Sequence, residues 1–193
     1  MRLVELDGGR IDIDGQDISQ IGLKLLRSKI AVIPQDPVLF SGEVRANLDP
    51  FGRHDDARLI DSLKRVGLWS TEQFSCIRSL NDAVQQDGEN FSVGQRQLLV
   101  IARALLDGAA LVICDEATAS IDAEADARIQ RVLRTDFANA TTLTVAHRLN
   151  TIMDSTHILV MSDGQCAEFD TPSNLLARGG LFADLVEKWE EEQ

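Results

Sequence analysis

The strongest constraint on the fold is an alternation. Three short apolar or β-branched runs each follow a helical pattern: KLLRS leads to IAVIP, VGQRQLLVIARALL to ALVIC, and DAEADARIQRVLRTDF to TTLTVA. Runs this short and this continuously apolar suit strands buried on both faces, and parallel strands need a crossover helix between them. The sequence therefore predicts an α/β domain whose parallel sheet carries helices on both faces. HILVMS and QCAEFD, at 157–162 and 165–170, read as two further strands, and Arg10 to Asp14 as another that ends in a DGQD turn. Between 55 and 66, Ala57, Leu59, Ile60, Leu63 and Val66 recur at helical spacing. Ser92 is placed to cap the helix that follows it, whose Leu98, Ile101, Ala102 and Leu105 form one apolar stripe. LFADLVEKWEEE reads as a closing helix with its apolar face on Leu181, Phe182 and Leu185, whereas 69–91 carries mixed signals.

A chain of 193 residues, 44% of them hydrophobic, is one ordinary domain with enough apolar material for a core. Its formal charge of −12 argues against non-specific binding to nucleic acid or to anionic lipid, both of which need a basic face. No run reaches the roughly 18 apolar residues of a membrane span, so direct insertion by these residues is not expected. No secretory pattern follows Met1, and Cys76, Cys114 and Cys166 are spaced for neither a zinc site nor a disulfide framework. A reducing, cytosolic setting is expected for the isolated chain.

The ALVIC run ends in two adjacent carboxylates, Asp115 and Glu116. Charges at the end of a buried strand must be answered by a cation or by water. In an open α/β sheet the ligand crevice lies beyond the carboxyl ends of the strands, which is where this pair falls. An apolar strand ending in Asp-Glu is the Walker B pattern: the Asp holds magnesium through its hydration shell and the Glu polarises an attacking water. Alone the pattern is weak, because an acid ending a strand can as well cap the helix after it.

NFSVGQRQLLVIARALL, at 90–106, resembles the signature motif of the ABC ATPases and the helix behind it. The usual form is Leu-Ser-Gly-Gly-Gln, and this chain departs from it at Phe91 and Val93. Ser92, Val93, Gly94 and Gln95 still put a hydroxyl and backbone N–H groups at a helix start, where the dipole favours an anion. Further strings sit in the family's order. IAVIPQDPVLFSG resembles the Q-loop, with Gln35 at the strand exit; ASID resembles the D-loop, with Ser120 and Asp122; TVAHRLNTI resembles the switch loop, with His147. His54 and His157 carry no such context. SVGQRQ and VLFSGEVRANLDPF are similar to the second nucleotide-binding domain of the multidrug-resistance-associated (C) subfamily.

The resemblance implies a P-loop NTPase-like sheet with a small helical, signature-bearing subdomain at about 50–105 of a domain covering 1–193. It implies ATP and Mg²⁺ as cofactors, Glu116 as general base, Asp115 as magnesium ligand, and His147 and Gln35 as groups placing water and γ-phosphate. Gln35 would also touch the magnesium-bound water. Ser92, Val93, Gly94, Gln95, Ser120 and Asp122 would serve nucleotide across a head-to-tail dimer with a second nucleotide-binding domain. The implied partners are the transmembrane domains of an exporter, the implied place is the cytoplasmic face of a membrane, and no nucleic acid is implied. The signature-bearing ATPases of DNA repair separate their two Walker motifs by a long coiled coil, but no sustained heptads lie between IPQD and ALVIC.

One element of that pattern does not occur. G-x-x-x-x-G-K-[ST] cradles the β- and γ-phosphates, yet Lys24, Lys29, Lys64 and Lys188 are preceded by Leu, Ser, Leu and Glu. In the family that loop precedes the segment resembling LVELDGGRIDIDG, so the sequence reads as opening after it, with the N-terminal part of the fold missing. The expectation is an ATPase domain by family whose isolated chain is inactive. The alternative is a non-catalytic module that supplies only the signature face to a partner.

Overall fold

The computed structural model describes residues 1–69, 76–115, 121–145 and 149–191, with backbone alone for 150 and 151. The chain divides into two compact units, Met1–Val145 and Ala146–Gln193.

The first unit opens with a hairpin of β1 (Asp12–Ile13) and β2 (Gln16–Asp17). Asp14 and Gly15 between them both take positive φ, 48° and 75°, as a two-residue turn that matches strand twist requires. The strand expected over 10–14 is thus only two residues long here. A 3-10 turn at Ile18–Gln20 and helix α1 (Leu23–Ser28) lead to β3 (Ile30–Ile33). β4 (Gly42–Glu43), α2 (Val44–Leu48) and α3 (Asp56–Arg65) follow, and then β5 (Ala83–Val84), which pairs with β4. Asp55 caps α3, which turns Leu59 and Leu63 into the core as its spacing predicts.

Helix α4 (Val93–Asp107) dominates this unit. Its start is a capping box: the Ser92 hydroxyl accepts from Gln95 N–H at 3.2 Å, and the Gln95 side chain accepts from Ser92 N–H at 3.0 Å. Its end is Gly108, left-handed at φ 57°. The burial differs from a single stripe. Leu99, Val100, Ala104 and Leu106 are buried along with Leu98, Ile101 and Ala102, while Leu105 is only partly so. The cause is position: α4 packs against β3 and also against α2, α3 and α5 (Ala123–Asp136).

β3, β6 (Leu111–Asp115) and β7 (Thr141–Val145) form a parallel sheet in the order β3-β6-β7. One face, carrying Ala31, Ile33, Val112 and Cys114, joins the α4 cluster. The other face meets Ile18 and Leu26 around Ile30, Leu111 and Ile113, but Val32, Leu143 and Val145 are 38%, 53% and 51% exposed. The alternation of strand and helix is as predicted, and cover is uneven.

The second unit contains α6 (Leu149–Ile152), β8 (Ile158–Ser162), β9 (Gln165–Asp170), α7 (Pro172–Arg178) and α8 (Leu181–Glu191). β8 and β9 pair antiparallel, as a two-stranded sheet of their own rather than as members of the parallel one. Asp163-Gly164, at φ 50° and 75°, supplies the same kind of tight turn as Asp14-Gly15. The Glu168 carboxylate accepts from the N–H groups of Leu181 and Phe182, fixing the start of α8. That orientation buries Phe182 and Val186 against Leu175 and Ile158 and leaves Leu181 and Leu185 about half exposed, so the apolar face differs from the one predicted.

Candidate functional site

Parallel register places the two described strand-end residues together. Ile33 pairs with Cys114 and Asp115 pairs with Val145, so Gln35 and Asp115 leave adjacent strands at the same, carboxyl end of the sheet. Both are exposed. Cys114, beside Asp115, is fully buried, and burial pushes its thiol up to about 11 against a weaker opposing hydrogen bond with Thr144. It stays a neutral core thiol, as the apolar strand predicted. Glu116, Ser120 and His147 lie outside the described residues.

The signature residues occupy the first turn of α4. Ser92 uses one hydroxyl lone pair in the capping box, which leaves its O–H free to donate. The N–H groups of Val93 and Gly94 precede any intrahelical carbonyl partner, and Val93 is exposed. Gln95, expected to serve nucleotide, gives its side-chain carbonyl to the cap, and the S-x-x-Q spacing was a readable signal for that role. Gly94 has a packing reason of its own. A Cβ there would lie 2.6 Å from Ala125 Cβ and 3.3 Å from Ile121 Cγ2, so only glycine lets α4 approach the start of α5 this closely. Asp122 caps α5, accepting from Ala125 N–H at 3.0 Å, so one of its oxygens has a structural task.

Two polar residues important to this corner were not singled out in the sequence. Gln97, fully buried on α4, donates from Nε2 to the Pro34 carbonyl at 2.9 Å. Asn47, 2% exposed, accepts from Phe40 N–H and donates to the Phe40 and Glu43 carbonyls. Their signal was faint: Gln97 is one polar residue in an apolar helical pattern, indistinguishable from a solvent-facing one, and Asn47 lies in a stretch without a helical pattern of its own.

The chemistry fits a nucleotide in part. The first turn of a 15-residue helix, with a free hydroxyl, suits a phosphate oxygen. Asp115 suits Mg²⁺, which is commonly held by one or two carboxylates plus substrate phosphates and needs no closed protein cage. Among the described residues no group of three or more His, Cys, Asp or Glu could hold a metal unaided. The glycine-lysine cradle for β- and γ-phosphates has no counterpart in the sequence.

Known proteins share this sequence and architecture. Residues 1–119 match the ABC transporter family model. The chain is 50% identical over 197 residues to ABC transporter C family member 8 of Dictyostelium discoideum, covering 100% of this chain and 12% of that protein. It is 50% identical over 185 residues to ATP-binding cassette sub-family C member 3 of Rattus norvegicus, covering 96% of this chain and 12% of that protein. In three dimensions it is similar to a bacterial Atm1-family ABC exporter with ATP bound, with a TM-score of 0.83 and 32% identity over 94% of this chain and 32% of that one. It thus spans only 12% of the length of either of these two curated relatives. Together with the strand-end acid, the capped signature helix and the parallel register, these matches establish that the chain belongs to the ABC transporter family.

Proposed function

We propose that these residues belong to an ATP-binding and ATP-hydrolysing domain of a C-subfamily membrane exporter, in which ATP hydrolysis drives transport. The observation that carries this reading is the shared corner: Gln35 and Asp115 at neighbouring strand ends, with the signature helix tied to the same strand exit through Gln97. In this account Asp115 holds Mg²⁺, Glu116 is the general base, and Gln35 and His147 place water and γ-phosphate. Ser92, Val93, Gly94 and Gln95 contact nucleotide held by a second nucleotide-binding domain packed head to tail, with Ser120 and Asp122 at that interface. The partners are that domain and the exporter's transmembrane domains, and the working place is the cytoplasmic face of a membrane. Residues 50–105 act as the signature-bearing helical subdomain.

The alternative, that the chain completes a partner's site without building its own, is separated from this reading by the experiment that tests it. The test attaches a strand, a P-loop and a helix ahead of residue 1 and measures MgATP turnover. Turnover should appear, and Glu116→Gln should lower it by about two orders of magnitude or more, the scale of a lost general base, while nucleotide still binds. Asp115→Asn should instead weaken magnesium-dependent binding itself. Turnover unchanged in Glu116→Gln would falsify the general-base assignment and leave the acid pair as a strand-end cap.

A further inference from the structure

Gln97 sits in the second turn of α4 among Leu98, Leu99, Val100 and Ile101, and it is fully buried. A carbonyl can only accept, so the amide must present Nε2 to Pro34, and the 2.9 Å contact fixes its orientation. Its Oε1 is buried and accepts no hydrogen bond among the described residues. An orphaned buried acceptor costs more than one neutral hydrogen bond returns. Stability alone therefore gives no reason for glutamine here, because a methionine of similar length would fit the apolar surroundings. What the amide does supply is a link. Pro34 has no N–H, so its carbonyl is the one main-chain group it can offer, and that group is held by α4. Gln35 is the next residue.

Six residues after Pro34, the backbone of Phe40 is held on both its N–H and its carbonyl by Asn47 of α2. The exposed Gln35-Asp36 pair is thus suspended between two buried side-chain amides, one on each helix. We infer that Gln97 is a positioning residue for Gln35: it ties the strand exit to the helix that carries Ser92, Val93 and Gly94, so the place of Gln35 is set by that helix. This rests on the role proposed for Gln35 above.

The first test uses the unaltered 193-residue chain and does not depend on catalysis. A through-hydrogen-bond scalar coupling between Gln97 Nε2 and the Pro34 carbonyl carbon, with slowed exchange of the amide protons, is expected. Fast exchange and no coupling would overturn the link. In Gln97→Met, exchange of the amides of Gln35, Asp36 and 38–41 should rise up to about tenfold, the size of one lost hydrogen bond, while exchange in α3 stays unchanged. Equal acceleration in both segments would mean a merely structural role, and no change in either would mean no role. The second test uses the chain completed with a P-loop segment. There Gln97→Met should lower kcat with KM unchanged, and should have no further effect in a Gln35→Ala background. Additive losses would overturn action through Gln35. An absence of turnover in the completed parent would count against the proposed function, while the exchange result would still decide the link.

Discussion

The two faces of the parallel sheet are both largely apolar in sequence and differently covered in the fold. On one, Ala31, Ile33, Val112 and Cys114 are each at most 8% exposed beneath α4 and its neighbours. On the other, Val32, Leu143 and Val145 face outward, and the cover supplied by Ile18 and Leu26 reaches only Ile30 and its surroundings. Burial is where apolar residues stabilise, at about 25 cal/mol per Å² removed from water, so the same residue types contribute very differently on the two sides. Apolar content shows that a strand could be covered, and only the packing shows whether it is.

Three substitutions sharpen or break that contrast. The largest effect is expected on the covered side: Leu98→Ala, at a fully buried position of α4, should cost about 2–5 kcal/mol in urea unfolding because it leaves a cavity. A loss below about 1 kcal/mol would mean that the α4 side is loosely packed. Next is Gly94→Ala, whose methyl would meet Ala125 Cβ at 2.6 Å and should cost about 1–3 kcal/mol by forcing α4 and α5 apart. A neutral result would show that the two helices can separate freely. Smallest is Leu143→Thr on the open face, expected to stay within about 0.5 kcal/mol and to raise solubility. A loss on the scale of Leu98→Ala would show that the face is covered in solution.

The contrast also shows what could be read before the fold was known. The cores of α3, α4, β6 and β7 were legible because spacing is local and Ser92 announces a helix start, while Asp55 and Asp122 emerge as the caps of α3 and α5 only in the fold. The region 69–91 was not, because its described parts are held by side-chain bonds. Asn90 binds the Ala83 carbonyl and Gln85 N–H, and Asp82 accepts from Arg78 and Ser79. The pairing of β8 with β9 was signalled by Asp163-Gly164, a turn that the apolar pattern of HILVMS and QCAEFD overshadowed. The rotation of α8 rests on the distant Glu168 carboxylate and could not be read locally. Around the site, the motif strings were legible and the side chains holding them were not. Gln97 is one amide in an apolar helix, and only its contact with a residue 63 positions away reveals its place.

The central proposal is that these 193 residues hold the strand-end acid and the signature turn of a nucleotide site whose glycine-lysine phosphate cradle is not among them. Isothermal calorimetry of the 193-residue chain with MgATP tests it most directly. The account predicts no saturable binding at millimolar nucleotide, because one helix N-terminus and one carboxylate do not replace a P-loop. Saturable binding with a dissociation constant in the micromolar range would contradict it and would show that these residues build a complete nucleotide site.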